Sequence, residues 1–281
     1  MTVIPDLLDQ LIRLDACAAV PRVKALHLPP PHAVAASRIA GRGEFCALEL
    51  ADGTLGLAYV LLDDHSDALR EGQGLDGLVG ASALDTARGL LGPQGVNRVL
   101  GWAAVNAMTR WLYDRAGYVP PESRDSFGQL PIVPGERIGM VGFFTPLIDR
   151  VLAAGARLTV VELRTDLQDA RPGLRLTNDP AELDGCTKVL CTSTVLLNDT
   201  LEATLAHCRD ARWFAMVGPS AGCLPDALFA RGVTMVGGTW VTDPAACLSA
   251  LMAGQALKGG TRKFAVERAG WVGVDVLLAR L

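Results

Sequence analysis

The sequence lacks the features that mark several large classes of protein. No apolar run approaches the roughly 20 residues that a membrane-spanning helix needs. The N-terminus has no basic region followed by an apolar core, so we expect no secretory signal. The formal net charge of -4 gives no electrostatic reason to expect nucleic acid, and the densest basic group, Lys258 with Arg262 and Lys263, is small. These absences predict a cytoplasmic protein that binds neither a membrane nor nucleic acid.

Metal sites with a recognisable spacing are absent as well. The seven cysteines are odd in number and form no pair with a zinc-type or redox-type spacing. Buried, reduced thiols are therefore the commoner outcome for them. A transition-metal site assembled only in the fold stays open as an alternative, with Cys191 as a soft ligand. Oxygen ligands from Glu162, Asp179 or Asp243 are a second alternative.

The sequence does contain enough apolar material for a large core, since half of the 281 residues are hydrophobic and a fifth are charged. The elements predicted in the first half are helices over residues 5–18, 82–91 and 96–116, an extended connection at the prolines 29–31, and a β-hairpin over residues 44–62. The hairpin turns at Asp52-Gly53. Residues 96–116 are apolar on more than one face, which predicts a helix at the centre of the first domain.

Residues 136–163 organise the second half of the chain. Their pattern is strand, glycine turn, helix, strand, with Gly142 at the turn, Pro146 in the first helical turn and Gly155 at the helix end. Further predicted elements are strands over 187–197, 213–217 and 233–236 and helices over 199–207, 226–230 and 244–257. This alternation predicts a mostly parallel sheet with helices on both faces. Residues 118–134, which contain four prolines, are predicted to link the two halves.

Small and polar residues follow the predicted strands, at the edge where open parallel sheets bind ligands. In chain order they are Gly142, Phe143, Phe144 and Thr145, then Glu162, then Ser193, Thr194 and Asn198, then Gly218, Pro219 and Ser220, and finally Gly237 and Gly238. Glycine lets a ligand approach the backbone closely, and hydroxyl groups offer hydrogen bonds. Their convergence at one edge of the sheet predicts a ligand-binding cleft.

A nucleotide cofactor is one ligand that this edge suggests, because Glu162 stands where nucleotide-binding folds place an acceptor for ribose hydroxyls. The glycine pattern departs from the dinucleotide motif, since two residues separate Gly139 from Gly142. The bulky Phe143 and Phe144 also occupy the position where a pyrophosphate approaches the helix. A structural role for the Glu162 carboxylate is the alternative.

Three further polar residues have two interpretations each. Asn198 either binds a ligand or caps the helix that follows it. Asn106 lies in an apolar stretch, so its buried amide either fixes a neighbouring loop or faces a cleft. Arg98 could reach an anionic ligand, although an arginine more often stays in solvent. No histidine has an evident location beside Ser193 or Thr194, which argues against a nucleophile there.

Four segments together resemble the putative heavy-metal chelation family. They are NRVLGWAAVNA, GMVGFFTPLIDR, STVLLNDTLE and MVGPSAGCLPDALFARGVTMVGG. The resemblance implies an α/β fold, in which an enolase-N-terminal-like α+β domain over residues 1–120 precedes a Rossmann-like, mostly parallel domain over residues 121–281. It implies a site between these domains that includes Asn106, Gly142, Phe143, Glu162, Ser193, Thr194, Asn198, Gly218, Pro219 and Ser220. Asp199 stands where the family usually has glycine, and it adds either a carboxylate near the site or a favourable charge at a helix N-terminus.

The function expected from these features is binding of a small anionic or metal-chelated ligand between the two domains. Backbone N–H groups at Gly142 and at residues 218–220 are expected to cradle the ligand, and Glu162 is expected to accept hydrogen bonds or contact a metal. The alternative is an enzyme with a nucleotide-type cofactor, either S-adenosylmethionine or NAD. A protein-interaction role without a ligand is a third hypothesis. The hydrophobic content is compatible with a homodimer but does not require one.

Overall fold

The chain folds around two β-sheets, and the computed structural model describes residues 2–123 and 132–281. The elements of the first half are helix α1 (Val3–Cys17), strand β1 (Val23–His27), helix α2 (Pro31–Ala40), strands β2 (Phe45–Leu50) and β3 (Leu55–Tyr59), and helices α3 (His65–Arg70), α4 (Ala83–Ala87) and α5 (Val96–Arg115). The three strands form an antiparallel sheet in the order β1-β2-β3.

The predicted hairpin is confirmed by the pairing of β2 with β3. The turn between them places Gly53 at a φ of 90°, a conformation that glycine adopts without steric cost. Strand β1, which pairs with the other edge of β2, lies outside the predicted elements. The extended connection predicted at residues 29–31 is wrong for its last residue. Pro31 is the first residue of α2, where its missing N–H is not needed.

The second half forms a seven-stranded sheet with helices between the strands. Its strands are β4 (Arg137–Val141), β5 (Arg157–Val161), β6 (Leu174–Thr177), β7 (Lys188–Thr192), β8 (Trp213–Val217), β9 (Met235–Val241) and β10 (Thr261–Glu267). Its helices are α6 (Thr145–Ala153), α7 (Leu201–Ala206), α8 (Asp226–Phe229), α9 (Pro244–Met252) and α10 (Val274–Leu278). Every neighbouring pair of strands is parallel except β9 with β10, which confirms the predicted mostly parallel sheet.

The strand order, β10-β9-β8-β7-β4-β5-β6, reverses in the middle of the sheet. From β4 the chain runs outward to β6, then returns to the other side of β4 and runs outward from β7 to β10. Open α/β sheets bind ligands near such a reversal. Strands β6 and β10 lie outside the predicted elements. The strand predicted over residues 187–197 ends at Thr192, because residues 193–196 form one turn of 3-10 helix.

The two halves are joined by more than the connecting chain. Residues 124–131 of the predicted linker lie outside the described part of the structure. Residues 121–123 run alongside β10, where the Ser123 N–H donates to the Lys263 carbonyl oxygen at 3.1 Å. One continuous hydrophobic core extends from α1 to α10 and includes residues of both sheets. The domain boundary expected at residue 120 stays a prediction.

Helix α5 is the central element of the fold. Fifteen of its 20 residues are buried, in agreement with apolar residues on more than one face. Strand β3 packs closely against it at Gly56, where a Cβ atom would lie 2.1 Å from the Ala103 carbonyl oxygen and 2.3 Å from the Ala107 nitrogen. Although α5 is long, no helix in the described part of the chain combines the length and the apolarity needed to cross a bilayer.

A row of four polar side chains on α5 joins the first half to the second. Arg98, Trp102, Asn106 and Arg110 recur at every fourth position and therefore lie along one face of the helix. We call these four residues the α5 donor row. Their acceptors in the second half are, in the same order, the carboxylate of Asp199 and the carbonyl oxygens of Leu196, Ser220 and Val241. The three bonds to carbonyl oxygens measure 2.8, 3.1 and 2.6 Å.

Arg98 lies in this row and not in solvent, so the expectation of a solvent-exposed side chain is wrong. Only 5% of its surface is exposed. Its guanidinium pairs with Asp199 and also donates to the carbonyl oxygens of Leu90 and Gly92, at 3.3 Å each. A buried guanidinium needs a counter-charge, and Asp199 supplies it. Asp199 has a φ of 55°, in the left-handed region, which explains why glycine also suits its position.

We expect Gly56→Ala to lower the free energy of unfolding by about 3 kcal/mol, because the added methyl group would force α5 away from β3. Urea unfolding followed by circular dichroism measures the change. Gly270→Ala is the control, since a Cβ atom there would meet no other atom within 4 Å. A loss at Gly56 no larger than the loss in the control would contradict the close packing of α5 on β3.

We expect Asn106→Leu to lower the free energy of unfolding by about 2 to 4 kcal/mol, because the carbonyl oxygens of Leu57 and Ser220 would lose a buried donor. The matched control is Asn97→Leu, which makes the same change at an exposed position of the same helix. It should cost less than about 0.5 kcal/mol. Equal losses for the two variants in urea unfolding would exclude a role for Asn106 in joining the halves.

Candidate functional site

A cleft opens between the two halves, at the edge of the second sheet where its parallel strands end. Its volume is about 550 Å³. One wall is formed by residues 42–45, which lie just before and at the start of β2. The other wall contains residues after β4 and β8, the middle of β9, and residues between α9 and β10. Of the residues predicted to follow strands, Phe144, Gly218, Pro219, Gly237 and Gly238 line it. The prediction is wrong for the position of Gly237 and Gly238, because β9 continues to Val241 and both glycines lie inside it.

Three cationic side chains line the cleft. Arg42, Lys258 and Lys263 line the cleft and are exposed. Glu44, which is partly buried, is the single carboxylate among the described lining residues, and it accepts a hydrogen bond from the Ser37 hydroxyl at 2.5 Å. The three cations come from both halves of the chain. Arg42 and Lys258 thus bring cationic groups to the cleft from both halves, which favours an anionic ligand.

The deeper part of the cleft is apolar. Phe45 and Phe144 are partly buried in it, and Phe264 is only 5% exposed. Phe264 lies directly opposite Gly238 in the ladder between β9 and β10. A Cβ atom on Gly238 would lie 2.6 Å from the Phe264 ring. Glycine at this position therefore lets the ring lie against the strand.

Gly218 has a structural reason to be glycine. Its φ is 140°, and a Cβ atom there would lie 2.2 Å from the Oγ atom of the buried Ser193. The Gly218 N–H donates to the Gly237 carbonyl oxygen at 3.0 Å. The Gly142 N–H donates to the Val161 carbonyl oxygen at 2.9 Å. Both of these N–H groups already bond within the protein, so the backbone cradle expected from Gly142 and residues 218–220 gains no support at Gly142 and Gly218 and stays a prediction at Ser220.

Glu162 lies at the end of β5 and holds a neighbouring turn. Its Oε2 atom accepts a hydrogen bond from the Phe143 N–H and its Oε1 atom accepts one from the Arg164 N–H, each at 3.0 Å. Burial raises the pKa of Tyr59, and the nearby Glu162 charge raises it further. The hydrogen bond to Glu162 holds the backbone of Phe143 in this turn. Phe143 is not among the residues that line the cleft. These contacts favour the structural interpretation of Glu162.

The residues that follow β7 form local turns. The Thr194 hydroxyl donates to the Thr192 hydroxyl oxygen at 3.1 Å, and the Thr200 hydroxyl donates to the Asn198 Oδ1 atom at 2.7 Å. The helix cap predicted at Asn198 is misplaced, because Thr200 is the residue that precedes the first turn of α7. A ligand-binding role for Ser193, Thr194 and Asn198 stays a prediction.

Of the two roles predicted for the Asn106 amide, fixing a neighbouring loop or facing a cleft, the structure shows the first. Its Nδ2 atom donates to the carbonyl oxygens of Leu57 at 2.7 Å and Ser220 at 3.1 Å. The Ser220 hydroxyl oxygen in turn accepts a hydrogen bond from the Tyr59 N–H at 3.0 Å. Within the described residues, the buried Asn106 Oδ1 atom has no hydrogen-bond partner. Asn106 lines a cavity of about 20 Å³, which has room for one water molecule.

The described residues do not fit a metal centre made by the protein alone. Cys191 is fully buried, and burial raises the pKa of its thiol well above the usual range, with a smaller contribution from Cys208. The thiolate is the form of cysteine that binds metals. Over the described part of the chain, no group of three or more His, Cys, Asp or Glu side chains is placed to hold a metal ion. The metal roles expected for Glu162, Cys191, Asp179 and Asp243 gain no support from the geometry.

Sequence reasoning missed the charged lining of the cleft. Lys258 and Lys263 belong to the densest basic group of the sequence, which is too small for nucleic acid but sufficient for a small ligand. That group is the signal that could have identified them. Arg262, its third member, instead packs over a tryptophan ring, 5.5 Å from the ring centre. Arg42 and Glu44 give no signal, because they lie just before and at the first residue of the predicted hairpin, in a segment without a motif.

Two family models match this chain, and both are described as putative heavy-metal chelation. One matches residues 125–269 and the other matches residues 42–109. The chain is 25% identical over 178 residues to the uncharacterized protein MJ0500 of Methanocaldococcus jannaschii. That match covers 61% of this chain and 66% of the relative, which is just under two thirds of its length.

Two solved structures, both of proteins of unknown function from the DUF364 family, have a similar fold. The protein from Desulfitobacterium hafniense aligns with a TM-score of 0.68 and 19% identity, over 94% of this chain and 98% of its own. The protein from Pyrococcus horikoshii aligns with a TM-score of 0.71 and 18% identity, over 95% of this chain and 100% of its own. At these identities the similarity shows the fold alone. Because the model that matches residues 125–269 covers more than half of the sequence, the chain belongs to the DUF364 family, described as putative heavy-metal chelation.

Proposed function

We propose that the protein binds a small anionic molecule in the cleft between its two sheets. The observation that carries this proposal is that the exposed cations Arg42 and Lys258 line the cleft, one from the first half of the chain and the other from the second. The cleft volume of about 550 Å³ lies within the range of small-molecule sites, about 300 to 1,000 Å³. Because Arg42 comes from the first half and the two lysines come from the second, a bound anion would contact both halves.

The family description adds a metal to this proposal. The described side chains form no cluster that could hold a metal ion alone. A metal would therefore enter as the cargo of an anionic chelate, held by donor atoms of the small molecule and not by the protein. The cationic lining would recognise the net negative charge of the complex. This mode of binding needs no protein thiolate, in agreement with the burial of Cys191.

An enzyme with a nucleotide-type cofactor has less support. Glu162, the expected acceptor for ribose hydroxyls, already accepts hydrogen bonds from two backbone N–H groups. Glu162, Gly142 and Phe143 lie outside the lining of the cleft. S-adenosylmethionine and NAD are therefore the second candidates for a ligand. A homodimer and a cytoplasmic location stay predictions.

Removing two of the cationic side chains should weaken the binding of anions. We expect the double variant Arg42→Gln with Lys258→Gln to bind citrate and nickel citrate about tenfold more weakly than the wild type, a difference of about 1.4 kcal/mol. Isothermal titration calorimetry measures both affinities. The control is Arg209→Gln, which removes an exposed cation outside the cleft and should leave both affinities unchanged.

Three outcomes would count against the proposal. If the double variant binds citrate as tightly as the wild type, the anion site is elsewhere. If nickel chloride without citrate binds stoichiometrically, the protein itself holds the metal. Saturable binding of S-adenosylmethionine or NAD that is lost in Glu162→Ala would favour the enzyme instead.

A further inference from the structure

We infer that the ligand of the cleft carries a protonated amine together with its carboxylates, and that Glu44 binds the amine. The inference rests on the proposed function and names the chemical class of its ligand. Glu44 is the single carboxylate among the described residues that line the cleft. A carboxylate weakens the attraction of a cleft for anions, so its presence in the lining needs a physical reason.

The Glu44 side chain is held in place from two directions. Its backbone lies at the start of the hairpin, where the Val60 N–H donates to the Glu44 carbonyl oxygen at 3.0 Å. Its Oε1 atom accepts a hydrogen bond from the Ser37 hydroxyl at 2.5 Å. Ser37 belongs to α2 and is only 2% exposed, so the donor is itself fixed by packing. The carboxylate therefore has a defined position before any ligand binds.

The second carboxylate oxygen of Glu44 is available to a ligand. In the described part of the chain, Glu44 Oε2 has neither a hydrogen bond nor an ion pair. The residue lines the cleft and is only partly buried. Each oxygen of an ionised carboxylate accepts hydrogen bonds. The bond from Ser37 ties α2 to the hairpin and accounts for Oε1, but it leaves Oε2 without a partner.

The cleft thus presents charges of both signs that do not neutralise each other. Arg42 and Lys258 line it, and over the described residues neither side chain forms an ion pair with Glu44 or with another carboxylate. A ligand with carboxylates for the two cations and an ammonium group for Glu44 would pair all three charges. Such charge-assisted hydrogen bonds are about twice as strong as bonds between neutral groups. An anion without a donor would instead place negative charge beside the Glu44 carboxylate, which selects against it.

Three probes of equal chain length test for the amine. Iminodiacetate, diglycolate and glutarate carry a carboxylate at each end and differ in the central group, which is a protonated amine, an ether oxygen and a methylene group, respectively. Attraction by the cations alone would favour glutarate or diglycolate, because the amine lowers the net negative charge of iminodiacetate. Recognition by Glu44 would favour iminodiacetate.

We expect the wild-type protein to bind iminodiacetate at least about fivefold more tightly than either of the other two probes. Isothermal titration calorimetry in metal-free buffer near neutral pH measures the three affinities. Glutarate bound as tightly as iminodiacetate would overturn the inference. The same affinity for diglycolate and iminodiacetate would also overturn it, because an ether oxygen has no hydrogen to donate.

Glu44→Gln provides the matched variant. The glutamine amide keeps the size of the side chain and can still bond to Ser37, but it has no charge. We expect the preference for iminodiacetate over glutarate to disappear in this variant. Glu71→Gln is the control, since Glu71 is exposed and lies outside the cleft, and it should keep the full preference. A full preference in Glu44→Gln would contradict the inference.

Ser37→Ala tests the same contact if circular dichroism shows that Glu44→Gln does not fold. This variant keeps the carboxylate and removes the hydroxyl that fixes it. We expect the preference for iminodiacetate to fall by about half or more, since Glu44 would lose its fixed position. An unchanged preference would count against binding by a prepositioned Glu44.

The inference and the proposed function fail in different ways. Citrate binding that depends on Arg42 and Lys258, without any preference for iminodiacetate over glutarate, leaves the anion-binding proposal intact and overturns the amine. Failure of the wild-type protein to bind citrate or any of the three dicarboxylates overturns both.

Discussion

The structure depends on the α5 donor row, the four side chains that join a helix of the first half to the second half of the chain. Three of the four, Arg98, Trp102 and Asn106, are buried, where an unmade hydrogen bond would cost about 1 to 3 kcal/mol. Three of their acceptors are carbonyl oxygens, those of Leu196 and Ser220 in the short 3-10 helices that follow β7 and β8, and that of Val241 at the end of β9. Buried carbonyl groups beyond the last ladder bond of a strand need such partners, because the sheet does not supply them. The donor row therefore fixes the strand ends and, with them, one wall of the cleft.

This constraint explains why several residues that resemble a ligand site belong to the scaffold. Glycine and hydroxyl residues at strand ends are typical of binding sites, but they are equally typical of loops that pack closely on a neighbouring element. Ser220 and Asn106 form the junction between the halves, and Ser193 leaves no space for a side chain on Gly218. The sequence pattern thus identifies the correct edge of the sheet, while the charged residues that face the cleft lie elsewhere.

The elements that the sequence predicts are those with a strong local pattern. The hairpin has its turn at Gly53, and β4 and β5 are apolar strands with glycine at the turns beside them. Strand β6 has only four residues, too few for an alternating pattern to be recognised. Strand β10 is an edge strand with several charged residues, and its place is set by pairing with β9. Arg42 and Lys258 line one cleft only because the fold brings distant segments together, which no local pattern records.

The placement of charge gives a physical reason for an anionic ligand that does not depend on the identity of that ligand. Elsewhere in the chain arginines pair with carboxylates, as Arg171 does with Asp169 and Arg231 with Asp6. Arg42 and Lys258 both line one cavity, and cationic groups around a cavity give it a positive potential. The anion that we propose as the ligand would be attracted by this potential. Because α5 already holds the two halves together, binding of the proposed anion would not include the free-energy cost of bringing them into contact.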